Sequence, residues 1–168
     1  QNPAYKDDGV KVEGSAVHCL EASFLQSWLQ AGGELDPKST DEDIMRDYFP
    51  HIRPAGSVAV KINNSVPWGT GEMQQNLLAM AEGAQSTLDV DMAYIHMPAF
   101  SDALVKAAEG GVKIRIVTNS QDGIDFEPSW YFSRQHYSKM LATGNVEIYE
   151  LHQYSHRKLI VADQRVVF

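Results

Sequence analysis

The chain has 168 residues, a formal net charge of −8 and 43% hydrophobic residues. This composition is typical of a folded domain, and the negative charge argues against a broad electrostatic surface for nucleic acid or anionic lipid. The longest apolar runs are only a few residues, well short of the roughly 20 that a membrane-spanning helix needs. A single cysteine, Cys19, excludes an internal disulfide, and no Cys/His cluster has the spacing of a zinc site.

The first third of the chain predicts one helix after an irregular or extended start over residues 1–14. Ser15 can cap this helix, and Gly32 and Gly33 end it. Its apolar residues lie three or four apart and form one stripe: Val17, Leu20, Phe24 and Trp28. We expect Phe24 and Trp28 to lie in a core, with Cys19 as a buried thiol beside them.

Residues 34–56 predict a connector, because the composition shifts to Asp, Glu, Pro and Ser. It holds at most a short helix near Ile44. Beyond it the periodicity becomes regular. The predicted strands lie near 58–62, 88–94, 112–116, 146–148, 158–162 and 165–168, and the predicted helices over 71–85, 99–109 and 129–142. Alternating strands and helices indicate an α/β layered sheet with parallel crossovers.

Polar and aromatic side chains follow several of the predicted strands. Because chemistry in such sheets sits at the carboxyl ends of strands, these residues are candidates for binding a substrate: Tyr94, His96, Asn119, Ser120 and Asp125. The alternative is structural. A tyrosine at a strand end and a surface histidine are ordinary, and polar loop residues often cap backbone groups.

The pattern His-x-Lys-x-x-x-x-Asp occurs once, at His156, Lys158 and Asp163. The period of a strand places His156 and Lys158 on one face. An imidazole can attack phosphorus or protonate a leaving oxygen, and an ammonium can neutralise charge that develops on a phosphate. Asp163 begins a turn that its carboxylate can cap. The alternative is an exposed charged strand start followed by an ordinary hairpin.

The motif and its surroundings resemble the phospholipase D superfamily, and most of all its bacterial cardiolipin synthase-like branch. The likeness extends over the helix, glycine turn and strand from Ala103 to Ser120, over Tyr137 to Tyr149, and over residues 5–33. Ser65 to Trp68 resembles the entry into the family's second half. The resemblance implies a layered α/β/α sandwich with a mixed, largely parallel sheet, truncated at both ends. Residues 1–33 would be the tail of the first catalytic half, 34–56 the connector, and 57–168 the second half.

The resemblance also implies a mechanism without metal or other cofactor. One histidine attacks a phosphodiester to form a phosphohistidine, the other protonates the leaving alcohol, and water or a second alcohol resolves the intermediate. By its position His156 would be the general acid and then the base, with either histidine open as nucleophile. Lys158 would bind a phosphoryl oxygen, and Asp163 would orient or support the site.

The family uses two such motifs, and this chain contains one. We therefore expect the chain to be a fragment that is inactive alone, with the second motif supplied by the rest of its own chain or by a second protomer. The expected substrate is a phospholipid, with peripheral contact to a membrane, in a bacterial protein that is membrane-associated or cytoplasmic. A nuclease of the same superfamily is an alternative that the acidic charge disfavours. A non-catalytic or dimer-dependent half domain is another.

Overall fold

The computed structural model describes residues 6–63 and 71–168. The segment Ser65 to Trp68 falls outside these residues. The chain divides into two compact units, one comprising Gly9–Glu72 and the other combining Gln1–Asp8 with Met73–Phe168. Within the described residues, no helix is both long and apolar enough to cross a bilayer.

In the unit formed by Gly9–Glu72, the described residues form two helices, α1 over Ala16–Gln30 and α2 over Asp41–Tyr48. Ser15 occupies the N-cap of α1 but makes no side-chain capping hydrogen bond there. Helix α2 begins with a reciprocal capping box, in which the Thr40 side chain accepts from the Asp43 N–H and the Asp43 carboxylate accepts from the Thr40 N–H. The short helix expected near Ile44 is therefore confirmed.

The apolar stripe of α1 was expected to form a core, and this prediction is wrong. Phe24 is 60% exposed and Trp28 47% exposed, while Leu25 is the buried residue of the helix. Cys19 is exposed as well. The spacing predicts that these side chains share one side of a helix, but it does not provide a surface to cover them. Stacking of the Phe24 and Trp28 rings, with centroids 6.5 Å apart, shields part of their area.

The strand predicted from Val58 to Ile62 is also wrong. Residues 57–63 form no strand in the structure, and Val58 and Val60 are 84% and 49% exposed. Alternation is necessary for a half-buried strand, but a strand also needs a neighbour for its backbone hydrogen bonds. Among the described residues, this segment forms no ladder of backbone hydrogen bonds with a strand.

In the second unit, the part of the chain that the structure describes forms the sheet and four helices. In chain order its elements are α3 Glu72–Gly83, β1 Thr87–Met92, α4 Pro98–Glu109, β2 Lys113–Asn119, α5 Glu127–Arg134, α6 Tyr137–Leu141, β3 Val146–Leu151, β4 Lys158–Ala162 and β5 Val166–Val167. The helix predicted over 129–142 is thus two helices. A turn separates them, in which the His136 N–H donates to the Ser133 carbonyl.

The five strands form a mixed sheet in the order β3-β2-β1-β4-β5. Strand β1 is parallel to β2, and β2 is parallel to β3, whereas β4 is antiparallel to both of its neighbours. The α/β class predicted from the periodicity is confirmed. Because β4 is reversed, its amino end lies at the same edge of the sheet as the carboxyl ends of β1, β2 and β3. We call this edge the reactive edge.

One continuous hydrophobic core joins the helices to one face of the sheet. Leu88 and Val90 of β1 alternate with the less buried Asp89 and Asp91, which lie on the opposite face. Helices α3, α4 and α6 add Ala81, Leu104 and Met140 among others to the same cluster. Fixed by this core, β1 and β4 are rigid supports for the side chains at their ends.

Candidate functional site

Pairing between β1 and β4 brings His156 and Lys158 to the reactive edge. Met92, the last residue of β1, pairs with Lys158, the first residue of β4. The pairing continues past the strand end, where the Ala93 N–H donates to the Arg157 carbonyl at 3.3 Å. The start of the motif is therefore held in register with the end of β1.

The imidazole and the ammonium of the motif are both accessible at this edge. The His156 side chain is 50% exposed, and Lys158 is exposed. The Lys158 ammonium donates to the main-chain carbonyl of His156 at 2.7 Å. Neither group is sealed beneath packed side chains, so an anion in solvent can reach both.

Asp7 is paired with His156, a contact between residues 149 positions apart. The Asp7 carboxylate lies 3.2 Å from His156 Nδ1. This hydrogen bond is the largest cause that lowers the pKa of Asp7, and the Asp8 N–H and the charge of Lys158 act in the same direction. An ionised carboxylate only accepts hydrogen bonds, so Nδ1 carries the proton and Nε2 is the ring nitrogen turned to other chemistry.

The backbone around Asp7 explains how it reaches the motif. Lys6 forms a parallel bridge with Ser155, in which the Lys6 N–H donates to the Tyr154 carbonyl at 3.0 Å. The His156 N–H donates to the Lys6 carbonyl at 2.8 Å. A short stretch at the start of the chain thus lies along the segment that carries His156.

Asn119, predicted to bind substrate, is 1% exposed and serves as an anchor for Ser155. Its carbonyl oxygen accepts from the Ser155 N–H at 2.7 Å, and its amide donates to the Ser155 carbonyl at 3.0 Å. The amide also lies 3.3 Å from the Ala93 carbonyl. One buried side chain therefore joins the ends of β1 and β2 to the residue before His156.

Tyr94, His96 and Asp125 are brought together with the motif, through Tyr154. The Tyr94 hydroxyl donates to Asp125 and lies 3.1 Å from the Tyr154 hydroxyl. Burial, followed by the hydrogen bond with Asp125, raises the pKa of Tyr94, so the phenol stays protonated at neutral pH. The Tyr94 ring stacks on His96 with centroids 5.7 Å apart, and the Tyr154 ring lies 6.0 Å from His156.

Ser120 belongs to the turn after β2. Its hydroxyl donates to the Leu151 carbonyl at 2.8 Å and lies 2.5 Å from an Asp122 carboxylate oxygen. Asp122 in turn lies 3.0 Å from His152 Nδ1. These contacts order the loops after β2 and β3. They do not bring Ser120 into contact with His156 or Lys158.

Asp163 lies at the opposite end of β4. Its carboxylate accepts three backbone N–H groups, from Gln85 at 2.9 Å, Ser86 at 2.7 Å and Thr87 at 3.0 Å. These hydrogen bonds, that of Thr87 first, lower the pKa of Asp163. Five residues of extended chain separate it from Lys158, roughly 16 Å at 3.3 Å per residue. Asp163 therefore fixes the start of β1 and does not reach the reactive edge.

Two residues of the reactive edge were missed by the sequence reasoning, namely Asp7 and Tyr154. No local pattern links Asp7 to a histidine so far along the chain. Tyr154 did leave a signal, because Tyr-x-His occurs twice, at Tyr94 with His96 and at Tyr154 with His156. Both pairs follow the ends of strands.

The site offers a general acid or base, a cation and hydroxyl groups, without a set of metal ligands. Within residues 6–63 and 71–168, no group of three or more His, Cys, Asp or Glu side chains is placed to hold a metal ion. The ammonium and the hydrogen-bond donors of the site can stabilise charge on a phosphate.

Comparison with known families gives a direct match for this unit. Residues 77–168, more than half of the chain, match the family described as cardiolipin synthase, PLD-like domain. The chain belongs to this family. The match contains β1 to β5 and the whole His-x-Lys-x-x-x-x-Asp motif, and it confirms the resemblance inferred from the sequence.

Curated relatives extend the similarity to nearly the whole chain. Cardiolipin synthase 1 of Bacillus cereus is 27% identical over 169 residues, which cover 98% of this chain and 32% of that protein. The major cardiolipin synthase ClsA of Bacillus subtilis is 24% identical over 96% of this chain and 33% of its own length. The chain therefore spans about one third of the length of these relatives.

Solved structures of lower identity are also similar. The match to the phospholipase D family member Nuc from Salmonella typhimurium covers 56% of this chain and 59% of that protein, with 19% identity and a TM-score of 0.46. The phosphatidylserine synthase of Haemophilus influenzae Rd KW20 covers 75% of this chain and 34% of its own, with 14% identity and a TM-score of 0.49.

Proposed function

We propose that the full-length protein cleaves a phosphodiester of a phospholipid and transfers the phosphatidyl group to an alcohol or to water. The observation that supports this most is the exposed imidazole and ammonium at the reactive edge, with a carboxylate fixing the imidazole tautomer. Membership of the cardiolipin synthase, PLD-like domain family and the names of the relatives favour phosphatidylglycerol as substrate.

His156 acts through Nε2 in this proposal. The Asp7 carboxylate accepts a hydrogen bond from the Nδ1 N–H. Nε2 is therefore the atom that can donate a proton to the leaving oxygen or attack phosphorus. When a second histidine attacks phosphorus, a phosphorus–nitrogen bond forms, the bond to the leaving oxygen breaks, and His156 protonates that oxygen. An incoming alcohol or water then gives a proton to His156 and attacks phosphorus, so that a new phosphorus–oxygen bond forms, the phosphorus–nitrogen bond breaks and the second histidine leaves.

Lys158 holds a non-bridging oxygen of the phosphate. Its ammonium is exposed beside His156, and its only hydrogen bond to the described residues is to the His156 carbonyl. An anionic substrate can therefore recruit its remaining donors. The Tyr94 and Tyr154 hydroxyl groups lie 3.1 Å apart in the same region, with the Tyr94 hydroxyl donating to Asp125.

The proposed reaction needs a second histidine in addition to that of the single motif in this sequence. We assign it to another copy of the motif, carried by the rest of the same chain or by a second protomer related by a twofold axis. The chain as given is accordingly expected to be inactive alone. Substrate delivery requires peripheral contact with a bacterial membrane.

The test is to incubate the full-length protein with phosphatidylglycerol labelled in its terminal glycerol and to identify the products by mass. Release of labelled glycerol with formation of cardiolipin indicates transfer, and release with phosphatidic acid indicates hydrolysis. Unchanged lipid contradicts the proposal. Cleavage of an oligonucleotide while the lipid stays intact would instead assign the site to a nuclease.

A further inference from the structure

A groove of about 450 Å³ lies beside the reactive edge. We call it the α5 groove, and it is lined by His96, Pro98, Phe126, Ser129, Phe132 and His136, with Gln135 at its rim. None of these side chains is Lys, Arg, Asp or Glu. The two phenylalanine rings are 59% and 54% exposed. An apolar, ring-lined concavity of this size is suited to a hydrocarbon group.

The exposure of the two rings follows from how α5 packs. The buried residues of α5 are Ser129 and Ser133, and the Ser133 hydroxyl accepts from the Ile95 N–H at 3.0 Å. The helix thus lies against the end of β1 through small polar side chains. Because the serines face the protein, the side chains of Phe126 and Phe132 face solvent. Two large apolar rings held in this way beside a groove indicate a surface that binds a ligand.

A series of side-chain contacts connects the α5 groove to the reactive edge. His96 lines the groove and stacks on Tyr94. The Tyr94 hydroxyl bonds Asp125, the residue before Phe126, and lies 3.1 Å from the Tyr154 hydroxyl. Tyr154 lies against His156. A molecule with its phosphate at His156 and Lys158 therefore has an apolar surface within reach.

We infer that the α5 groove holds an acyl chain of the phospholipid whose phosphodiester lies at His156 and Lys158, an inference that rests on the proposed function. The two sites match the two parts of such a lipid, a charged one for the phosphate and an uncharged one for the chain. Each methylene removed from water is worth about fourfold in affinity. Exposed aromatic rings also stack on nucleobases, but a site for single strands pairs them with a cationic groove. The lining of the α5 groove contains no Lys or Arg side chain.

The test compares two substrates in the full-length protein: dioleoyl phosphatidylglycerol in mixed micelles and monomeric dibutyroyl phosphatidylglycerol. Phe126→Gln and Phe132→Gln should each lower the ratio of kcat/KM for the long-chain over the short-chain substrate at least about tenfold. Tyr131→Gln is the matched control, because Tyr131 is 52% exposed on the same helix and does not line the groove. It should leave the ratio within about twofold.

Three results would overturn the inference. An unchanged ratio in both phenylalanine variants shows that the groove holds no chain. An equal fall with Tyr131→Gln shows contact with the lipid surface instead. A selective loss of oligonucleotide cleavage assigns the rings to nucleobases. Melting temperatures equal to that of the wild type show that the variants fold.

A binding measurement separates failure of this inference from failure of the proposed function. Phosphatidylglycerol with brominated acyl chains should quench the fluorescence of Phe132→Trp more than that of the wild type, even with His156→Ala in the same protein. If the wild type turns over neither substrate, the proposed function fails. If Phe132→Trp shows no additional quenching, the acyl-chain site fails.

Discussion

The two ends of strand β4 show how one motif divides its tasks. At the amino end, His156 is half exposed and the Lys158 ammonium is exposed, with its hydrogen bond directed at a main-chain carbonyl. At the carboxyl end, the Asp163 carboxylate has three backbone donors. The spacing of the motif therefore corresponds to the length of one strand. His156 and Lys158 at the amino end are available for chemistry, and Asp163 at the carboxyl end is a structural anchor.

The anchor has a specific conformational reason to be aspartate. Asp163 and Gln164 have φ angles of 52° and 55°, in the left-handed region that Asp and Asn tolerate better than most residues. The turn they form joins β4 to β5, where Ala162 pairs with Val166. The same carboxylate binds the segment that enters β1. One side chain thus orders a hairpin and the start of the neighbouring strand.

The largest expected effect is that of His156→Ala on turnover by the full-length protein. Losing proton transfer should lower kcat by about 10²–10⁴-fold, with little change in the melting temperature because the side chain is half exposed. His152→Ala is the matched control, since it removes a histidine 83% exposed in the same loop region. Steady-state kinetics on labelled phosphatidylglycerol measure both. Substantial turnover by His156→Ala would contradict the assignment of proton transfer to the amino end of β4.

Lys158→Met should have the next largest effect. Removing the ammonium that faces the phosphate should lower kcat/KM by about 10²–10³-fold, the usual result of deleting one donor to a developing charge. Lys158→Arg keeps the charge and should recover part of the loss. The rates of the two variants are compared at equal substrate. Equal rates in Met and Arg variants would show that the charge at this position has no role.

At the other end of β4, Asp163→Asn should affect stability. The variant loses an acceptor for the Gln85 N–H and should melt several degrees below the wild type at neutral pH. The folded pKa of Asp163 lies below its ordinary value of 3.8, so the stabilisation is present above that pH and is lost as the pH falls through the folded pKa. The difference in melting temperature between the two proteins should therefore shrink below about pH 4.

The activity per folded molecule of Asp163→Asn is a second measurement that complements its melting temperature. Asp163→Asn should turn over substrate like the wild type at a temperature where it is folded. A variant that melts like the wild type but has no activity would place Asp163 in the chemistry.

The sequence predicted the second unit well, because alternating strands and amphipathic helices there bury one shared core. Strand β1 and helix α4 were confirmed on this basis. The predictions failed where burial depends on a neighbour that periodicity cannot show, as at Val58 to Ile62 and on the Phe24 side of α1. The break between α5 and α6 was missed because the apolar spacing continues through the turn at His136.

For the site, the period of a strand predicts that His156 and Lys158 share one face, and the structure places the Lys158 ammonium on the main-chain carbonyl of His156. The sequence could not predict the contact of Asp7 with His156, because the two residues are 149 positions apart in the chain. Nor could it separate Asn119, which anchors Ser155, from a residue that faces a ligand. A structural anchor and a ligand-binding residue can both be polar residues at strand ends. Only burial and hydrogen-bond partners distinguish the two.

The most direct test of the account is a titration of the full-length protein with inorganic phosphate, followed through the ring nitrogens of ¹⁵N-labelled histidine. We expect a saturable shift of the His156 signals that Lys158→Met weakens, while the His152 signals stay in place. His156 signals that do not move, or that move no more than those of His152, would contradict the assignment of this pair to a phosphate.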